Sequence, residues 1–342
     1  MPFSMNELRS RYFGTKPEGE GGKEEDGERG KGGKGGKGGR GGDGLRPWRK
    51  RALQIITTDI WRKDSVEEII PLPQVAGHGS HDAKQAILTG KNGCILKPIQ
   101  APPRGVREKN FYEEVFSSQD PQKVEFQTFL PKYYGSCKKK NKDGDLAEFL
   151  MIENLTQGLT KPCIMDVKIG AKTYGPDANQ EKIAKQDASY SGTKKPFGFS
   201  ILGMSIYTGS TRDTFTILNK DYGKGLNESN IEDFMVNYLD SMSNETAAKT
   251  LGRILVEKLN PILDLFSKQT VYHMYGSSLL FVYDAHVLEK YTEGTVQLDK
   301  LSTAVRVTMI DFAHVWDGAG HLDENYLKGI QNLVQVFDKF ST

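Results

Sequence analysis

Between Pro162 and Gly170 the chain reads Pro-Cys-Ile-Met-Asp-Val-Lys-Ile-Gly, an apolar run carrying one acid and one base two residues apart. Its length and its Pro and Gly boundaries predict a strand over Cys163 to Ile169. Side chains at i and i+2 of a strand leave the same face, so Asp166 and Lys168 stand together while the alternate residues present an apolar face. Such a strand belongs over a core on one side. On its other side it makes either an internal ion pair at a half-exposed surface or the floor of a cleft. In a cleft the acid can handle a hydroxyl proton and the lysine a transferring phosphoryl group.

The surrounding segments predict a mixed architecture. Gln85 to Leu88, the turn Gly90-Lys91-Asn92-Gly93 and Cys94 to Ile99 read as a hairpin. Arg107 to Phe116 reads as a helix, and Leu146 to Glu153 as a strand. Ile231 to Tyr238 and Ala247 to Ser267 have helical apolar spacing, the second interrupted or kinked at Pro261. Leu279 to Tyr283 and Val305 to Phe312 are strand-like, and Tyr326 to Phe340 is an amphipathic closing helix. Early strands with one helix, then a larger mixed portion, predict a two-lobed α+β protein with its cleft between lobes.

Composition enters at the N-terminus. From Arg29 to Arg51 there are nine Lys or Arg residues against the single acid Asp43, spaced by glycines that bury nothing. Residues 1–44 are expected to be a disordered Gly/Lys-rich tail and 45–70 a basic linker with helical potential. The tail reads either as a solvated extension or as a nuclear signal with weak affinity for anionic lipid or nucleic acid, Arg46 to Arg51 being its best candidate. Nucleic acid is otherwise not an expected partner. No apolar run approaches the ~20 residues that span a bilayer, and Met1 to Lys16 lack the apolar core of a secretory signal, so a soluble protein of cytoplasm and nucleus is expected. Cys94, Cys137 and Cys163 are far apart and form no metal or disulfide spacing.

Pro162, Asp166, Lys168 and Gly170 reproduce a PxxxDxKxG pattern that resembles the signature of the inositol polyphosphate kinases. Ser277-Ser-Leu-Leu280 and Ile310-Asp-Phe-Ala-His314 resemble two further segments of that family, in the same order. The resemblance runs from about Pro71 to the end. It implies a two-lobed inositol polyphosphate kinase fold, related to protein kinases and ATP-grasp proteins, with a small helical insert for inositol phosphates. The implied boundaries are 71–155 for the N-lobe and hinge and 156–342 for the C-lobe, with the insert at 174–196.

The resemblance also implies the site. Asp166 and Lys168 would be catalytic, Lys168 also touching substrate. Asp311, followed by Phe312 as in the metal-binding position of protein kinases, would hold Mg²⁺ on ATP. Lys97 would face the nucleotide phosphates with Glu108 as its ion-pair partner, and Glu153 to Leu155 would form the hinge that reads adenine. Arg104, Lys182, Lys185, Gln186 and His314 would bind the inositol phosphates. Helical spacing independently puts Lys182, Lys185 and Gln186 on one face, although a charged helix is also ordinary solvated surface. Lys172, Lys194 and Lys195 lie in the same polar stretch. Asp311 could instead cap a strand end, and His314 could be a core histidine. The chain has no GxGxxG or GxxxxGK[ST] segment.

Within the family, Ala101 to Glu108, Leu130 to Gly135 and Lys161 to Gly170 resemble the multikinase branch, which acts on inositol tris- and tetrakisphosphates. Two departures stand out: Ser189 where another lysine is common, and a short stretch between Asp284 and Met309. The trisphosphate 3-kinase and hexakisphosphate kinase branches are the alternatives, with phosphoinositide headgroups as further substrates. A catalytically silent kinase-like scaffold is the reading from another class.

Overall fold

In the computed structural model, which describes residues 54–57, 87–90, 93–140, 146–207, 214–240 and 244–341, the strand expected at Cys163 to Ile169 runs from Pro162 to Ile169. Cys163, Met165, Val167 and Ile169 are fully buried on one face, and Asp166 and Lys168 share the other. All these residues fall in one unit, Ala52–Thr342. The expectations for the tail, for residues 71–86 and for the tip of the first hairpin (91–92) lie outside the described residues.

In chain order the described strands begin with β1 (Gln54–Thr57), β2 (Leu88–Thr89) and β3 (Cys94–Pro98). Helices α1 (Arg104–Ser117) and α2 (Pro121–Phe126) follow, then β4 (Tyr133–Lys140), β5 (Leu146–Glu153) and β6 (Pro162–Ile169). The insert contributes α3 (Gln180–Ala188) and α4 (Ser191–Phe197), leading into β7 (Phe199–Tyr207), β8 (Thr214–Leu218) and α5 (Lys220–Lys224). Next come α6 (Ile231–Leu239), α7 (Glu245–Lys268), β9 (Tyr272–Met274), β10 (Ser278–Asp284), α8 (Ala285–Thr292) and α9 (Leu298–Thr303). The described chain ends with β11 (Val305–Ile310), β12 (Val315–Asp317) and α10 (Glu324–Asp338).

Two main antiparallel sheets organise these elements, one ordered β2-β3-β5-β4 and the other β1-β8-β7-β6-β10-β11, with β12-β9 as a small ribbon. β6 is central in the larger sheet. Its apolar face is covered by α10, and α7 packs on α10 and β11. The ring of Phe266 stacks on Tyr326 at 4.2 Å and Phe281 meets Phe337 at 5.3 Å. Burying each such side chain contributes roughly 2–3 kcal/mol. Asn244 and Asp323 cap α7 and α10 by accepting bonds from Ala247 N–H and Tyr326 N–H.

Several expectations are corrected. Residues 54–57, within the linker given helical potential, form a strand paired with β8. Of the two readings for Pro261, interruption is excluded, since α7 runs through it from Glu245 to Lys268. Pro261 and Glu257, whose carbonyl loses its i+4 donor, lie on the exposed side of the helix, where water substitutes for the missing bond. Arg104 is the first residue of α1, so the helix begins three residues before the expected Arg107. Besides β1, five strands had not been expected: β4, whose outer end is lysine-rich, the β7–β8 pair, and the short β9 and β12.

Two glycines fix the approach of elements to the cleft. A Cβ on Gly105 would lie 1.9 Å from the Gln100 carbonyl, so only glycine lets α1 sit this close to the end of β3. Gly170, at φ +101°, donates its N–H to the Gly198 carbonyl at 2.7 Å, and a Cβ there would lie 2.4 Å from Asn325 Nδ2. Glycine is therefore required where β6 leaves the sheet against the first turn of α10.

Candidate active site

Strand register brings the polar residues together. Asp166 lies opposite Leu280 of β10 and Gly203 of β7, and Lys168 lies opposite Ser278 and Ser200. Ser278 is in turn opposite Ile310, the last residue of β11, so the next residue, Asp311, emerges at the same end of the sheet as Lys168. Asp311 adopts φ +67°, a left-handed conformation that a non-glycine residue holds only at a cost of about 1 kcal/mol or more. This turn releases the chain from the strand and points it along the cleft.

The smaller sheet supplies the opposing wall. Lys97 Nζ on β3 donates to Glu108 Oε1 at 2.6 Å and to Asp311 Oδ1 at 2.5 Å. Glu108 is fully buried on α1 and also accepts the Phe312 N–H at 3.2 Å, which ties the helix to the residue after Asp311. Phe312 is buried between Phe111, at 4.3 Å, and Tyr112, at 5.4 Å. Burial disfavours the Lys97 charge, but Asp311 and Glu108 overcompensate and hold its pKa above the usual range.

Asp166 is 5% exposed, and its Oδ1 has no hydrogen-bond partner. Burial, followed by the negative charge of Asp311, pushes its pKa up to about 7, against the opposing influence of Ser278, Lys168 and Lys220. Asp311 is shifted the other way: burial would raise it, but Lys97, Lys168 and Lys220 hold it below the usual carboxylate range. The two carboxylates are thus driven apart in protonation behaviour, as acid–base pairs in active sites are.

Lys220 is a member of this group that the sequence reading missed. It is the first residue of α5, two residues beyond Leu218, which pairs with Met204 beside the Gly203 that faces Asp166. Burial and the Lys168 ammonium lower its pKa. Only the register of β7 and β8, neither of which was foreseen, carries it to the site. Ser278 lay inside a segment singled out in the sequence, but its place across from Lys168 likewise follows from pairing.

The expected hinge closes β5. The Glu153 N–H donates to the Lys132 carbonyl and the Asn154 N–H to the Gly93 carbonyl, at 2.9 and 3.0 Å. The Leu155 carbonyl accepts from Arg306 Nη1 at 2.7 Å, so β11 braces this connection. Leu155 itself is buried and Glu153 half-buried.

On the insert side, Lys182 and Gln186 are half-buried on α3, while Lys185 and Arg104 are exposed. His314 is drawn into the same neighbourhood: burial, then the charge of Lys182, lowers its pKa to about 4, with Arg104 and Arg107 acting in the same sense and Asp177 against them. Its imidazole is therefore neutral at pH 7. Arg107 Nη2 donates to Asp177 at 2.8 Å, and its guanidinium lies 4.2 Å from the Trp316 ring centroid, linking α1 to the start of the insert. Lys194, expected in the exposed polar stretch, is instead buried and donates to the Gln186 carbonyl.

The carboxylates also fit a divalent cation. Asp311 keeps 44% of its side chain exposed to the cleft, and the unpartnered Asp166 oxygen belongs to the neighbouring carboxyl. Among the described residues no three or more His, Cys, Asp or Glu gather as a metal cage. Such a site leaves phosphate and water oxygens to complete the shell, as Mg²⁺ prefers.

Sheets meeting at a polar cleft, a lysine–glutamate pair across from a post-strand aspartate, and an acid–lysine pair on the facing strand define a kinase-like α+β protein. The family profile described as inositol polyphosphate kinase matches residues 149–338, more than half of the chain. The chain belongs to the inositol polyphosphate kinase family. It is 38% identical over 218 residues to the human protein named inositol polyphosphate multikinase, covering 63% of this chain and 51% of the human one. It therefore spans about half the length of that relative. With inositol polyphosphate multikinase alpha of Arabidopsis thaliana it shares 30% identity over 277 residues, 78% of this chain and 93% of the plant protein. The crystal structure of the S. cerevisiae inositol phosphate multikinase in complex with ADP and Mn²⁺ superimposes with a TM-score of 0.60 at 24% identity, covering 73% and 99% of the two chains, and so shares the fold. No helix among the described residues is long and apolar enough to cross a membrane.

Proposed function

We propose that the protein is an ATP-dependent inositol polyphosphate multikinase, phosphorylating inositol 1,4,5-trisphosphate and tetrakisphosphates toward pentakisphosphate. What carries this reading is the meeting of Asp166 and Lys168 on β6 with Asp311 beyond β11, opposite the Lys97–Glu108 pair. The similarity to proteins named multikinases in human and Arabidopsis supports it.

In the proposed reaction, backbone groups at Glu153 to Leu155 receive the adenine, and Lys97 and Lys168 offset the phosphate charge, with Lys220 reinforcing them. Asp311 would hold Mg²⁺, which neutralises phosphate charge when bound. Arg104, Lys182, Lys185, Gln186 and neutral His314 hold the ring phosphates. Asp166, poised near neutrality, orients the attacking hydroxyl and accepts its proton. The bond from the γ-phosphorus to the bridging oxygen breaks as the bond to the inositol oxygen forms.

The test is incubation of the purified protein with Mg²⁺-ATP and, separately, inositol trisphosphate, a tetrakisphosphate and hexakisphosphate, with products resolved by charge and position. Stepwise conversion of trisphosphate to pentakisphosphate is expected. Activity confined to hexakisphosphate or to one trisphosphate hydroxyl would move the protein to a sister branch, and nucleotide binding without turnover would favour a scaffold. We further propose phosphoinositide headgroups as substrates, since an exposed Arg104 and Lys185 leave the site open at its rim; anionic vesicles read this directly. The basic segment Arg46 to Arg51 is proposed to place part of the protein in the nucleus and the rest in the cytoplasm, with weak contacts to anionic lipid or nucleic acid. Unchanged distribution after replacing its four basic residues by alanine would refute that.

A further inference from the structure

The last four carbonyls of a helix have no intrahelical donor. In α3, which ends at Ala188, these begin with Lys185, whose carbonyl accepts from the Ser189 N–H at 3.2 Å. The next carbonyl, that of Gln186, is satisfied by a side chain from the following helix: Lys194 Nζ donates to it. Lys194 is 3% exposed, and burial lowers its pKa, so its ammonium is committed to this helix end. A cation at a helix C-terminus also complements the helix dipole.

Gln186 is held at its other end as well. Thr173, 7% exposed in the segment that leaves β6, donates its hydroxyl to Gln186 Oε1 at 3.0 Å. An amide has an accepting oxygen and a donating NH₂ group, and only the latter attracts a phosphate. A donor fixed on the oxygen leaves the NH₂ group to face a ligand. Backbone and side chain of one residue are thus anchored by two separate buried groups, from the segments on either side of α3.

We propose that Thr173 and Lys194 are positioning residues for the polyphosphate site: Lys194 holds the C-terminal turn of α3 and Thr173 selects the amide orientation in which Gln186 donates to a substrate phosphate. This rests on the kinase reading given above. The ordering of Gln186 precedes substrate binding, so its cost does not reduce affinity. Lys194 acts through α3 and is not itself a phosphate ligand.

The test is steady-state kinetics of the full chain with inositol 1,4,5-trisphosphate and with ATP, each varied at saturating levels of the other. Thr173→Val keeps the shape of the side chain and removes the donor. It should raise the KM for trisphosphate about fivefold, the size of one neutral hydrogen bond, while kcat and the KM for ATP stay within about twofold. Thr173→Ser should restore the wild-type value. On a Gln186→Ala background Thr173→Val should have no further effect. Lys194→Met should raise the same KM and lower Tm. An unchanged trisphosphate KM in Thr173→Val, or an equal effect with Gln186 removed, overturns the proposal while leaving the kinase reading intact. Absence of turnover in the wild-type protein overturns both.

Discussion

The two walls of the cleft treat charge in opposite ways. On the β3–α1 side Lys97, Glu108 and Asp311 neutralise one another at 2.5–2.6 Å, and Glu108 also secures the backbone beyond Asp311. On the insert side Lys168, Lys182 and Lys185 make no ion pair among the described residues, and the neighbouring Lys220 is pushed toward its neutral form. The first wall is complete before any ligand arrives. On the second wall the compensation acts without a direct ion pair, Lys168 and Lys220 favouring the charged forms of Asp166 and Asp311. Charges that join the two sheets are paired directly within the chain, and those proposed to hold substrate are not.

This contrast can be broken by substitution. Lys168→Ala should lower kcat by about 10²–10³-fold, the range for loss of a group that stabilises developing charge, with Tm unchanged or slightly raised. A variant retaining near-full turnover would remove Lys168 from the chemistry. Glu108→Ala should do the reverse, costing about 3 kcal/mol by stranding the buried Lys97, and its denaturant midpoint should fall clearly below that of wild type. An unchanged midpoint would show that the Lys97–Asp311 pair suffices.

Asp166 lies between these extremes, and its pH dependence has a definite sign. A carboxyl whose folded pKa is raised from 3.8 to about 7 keeps a proton that the unfolded chain has lost, so stability falls as pH rises between those values. Asp166→Asn should therefore raise Tm by a few degrees at pH 8 and leave it unchanged near pH 3, while abolishing most turnover. Because the deprotonated form accepts the hydroxyl proton, wild-type kcat/KM should climb through pH 7 in the absence of other limits; a flat profile from pH 5.5 to 8 would reduce Asp166 to orientation alone. The smallest effect is expected at exposed Lys185, where alanine should raise the trisphosphate KM about threefold with no measurable change in Tm.

Recognising Asp166, Lys168 and Asp311 in the sequence required only local pattern: an i, i+2 pair in an apolar strand and an acid closing another. Lys97 and Glu108 were singled out only by the family resemblance, and the bond that it implied between them is present. Lys220 carried no such signal, because α5 is short and its position depends on β8 pairing with β7. The burial of Lys194 was hidden for the same reason. In sequence it is one lysine among six polar neighbours, and its burial is decided by how α4 folds back on α3. Pro261 misled for a related reason: its cost depends on which side of the helix faces water, and in α7 that side is exposed.

Periodicity, breakers and charge spacing were therefore sufficient for the α+β class, about half of the elements and the Asp166–Lys168 pair, since each depends on residues within a few positions of one another, while the rest of the charged core was legible only through the family resemblance. Tertiary structure alone decided which strands neighbour β6, how the carboxylates shift each other's protonation, and which lysines are buried or paired within the protein. These outcomes depend on register, burial and distance between residues up to 214 positions apart, as for Lys97 and Asp311, and such separations leave no local trace in the chain.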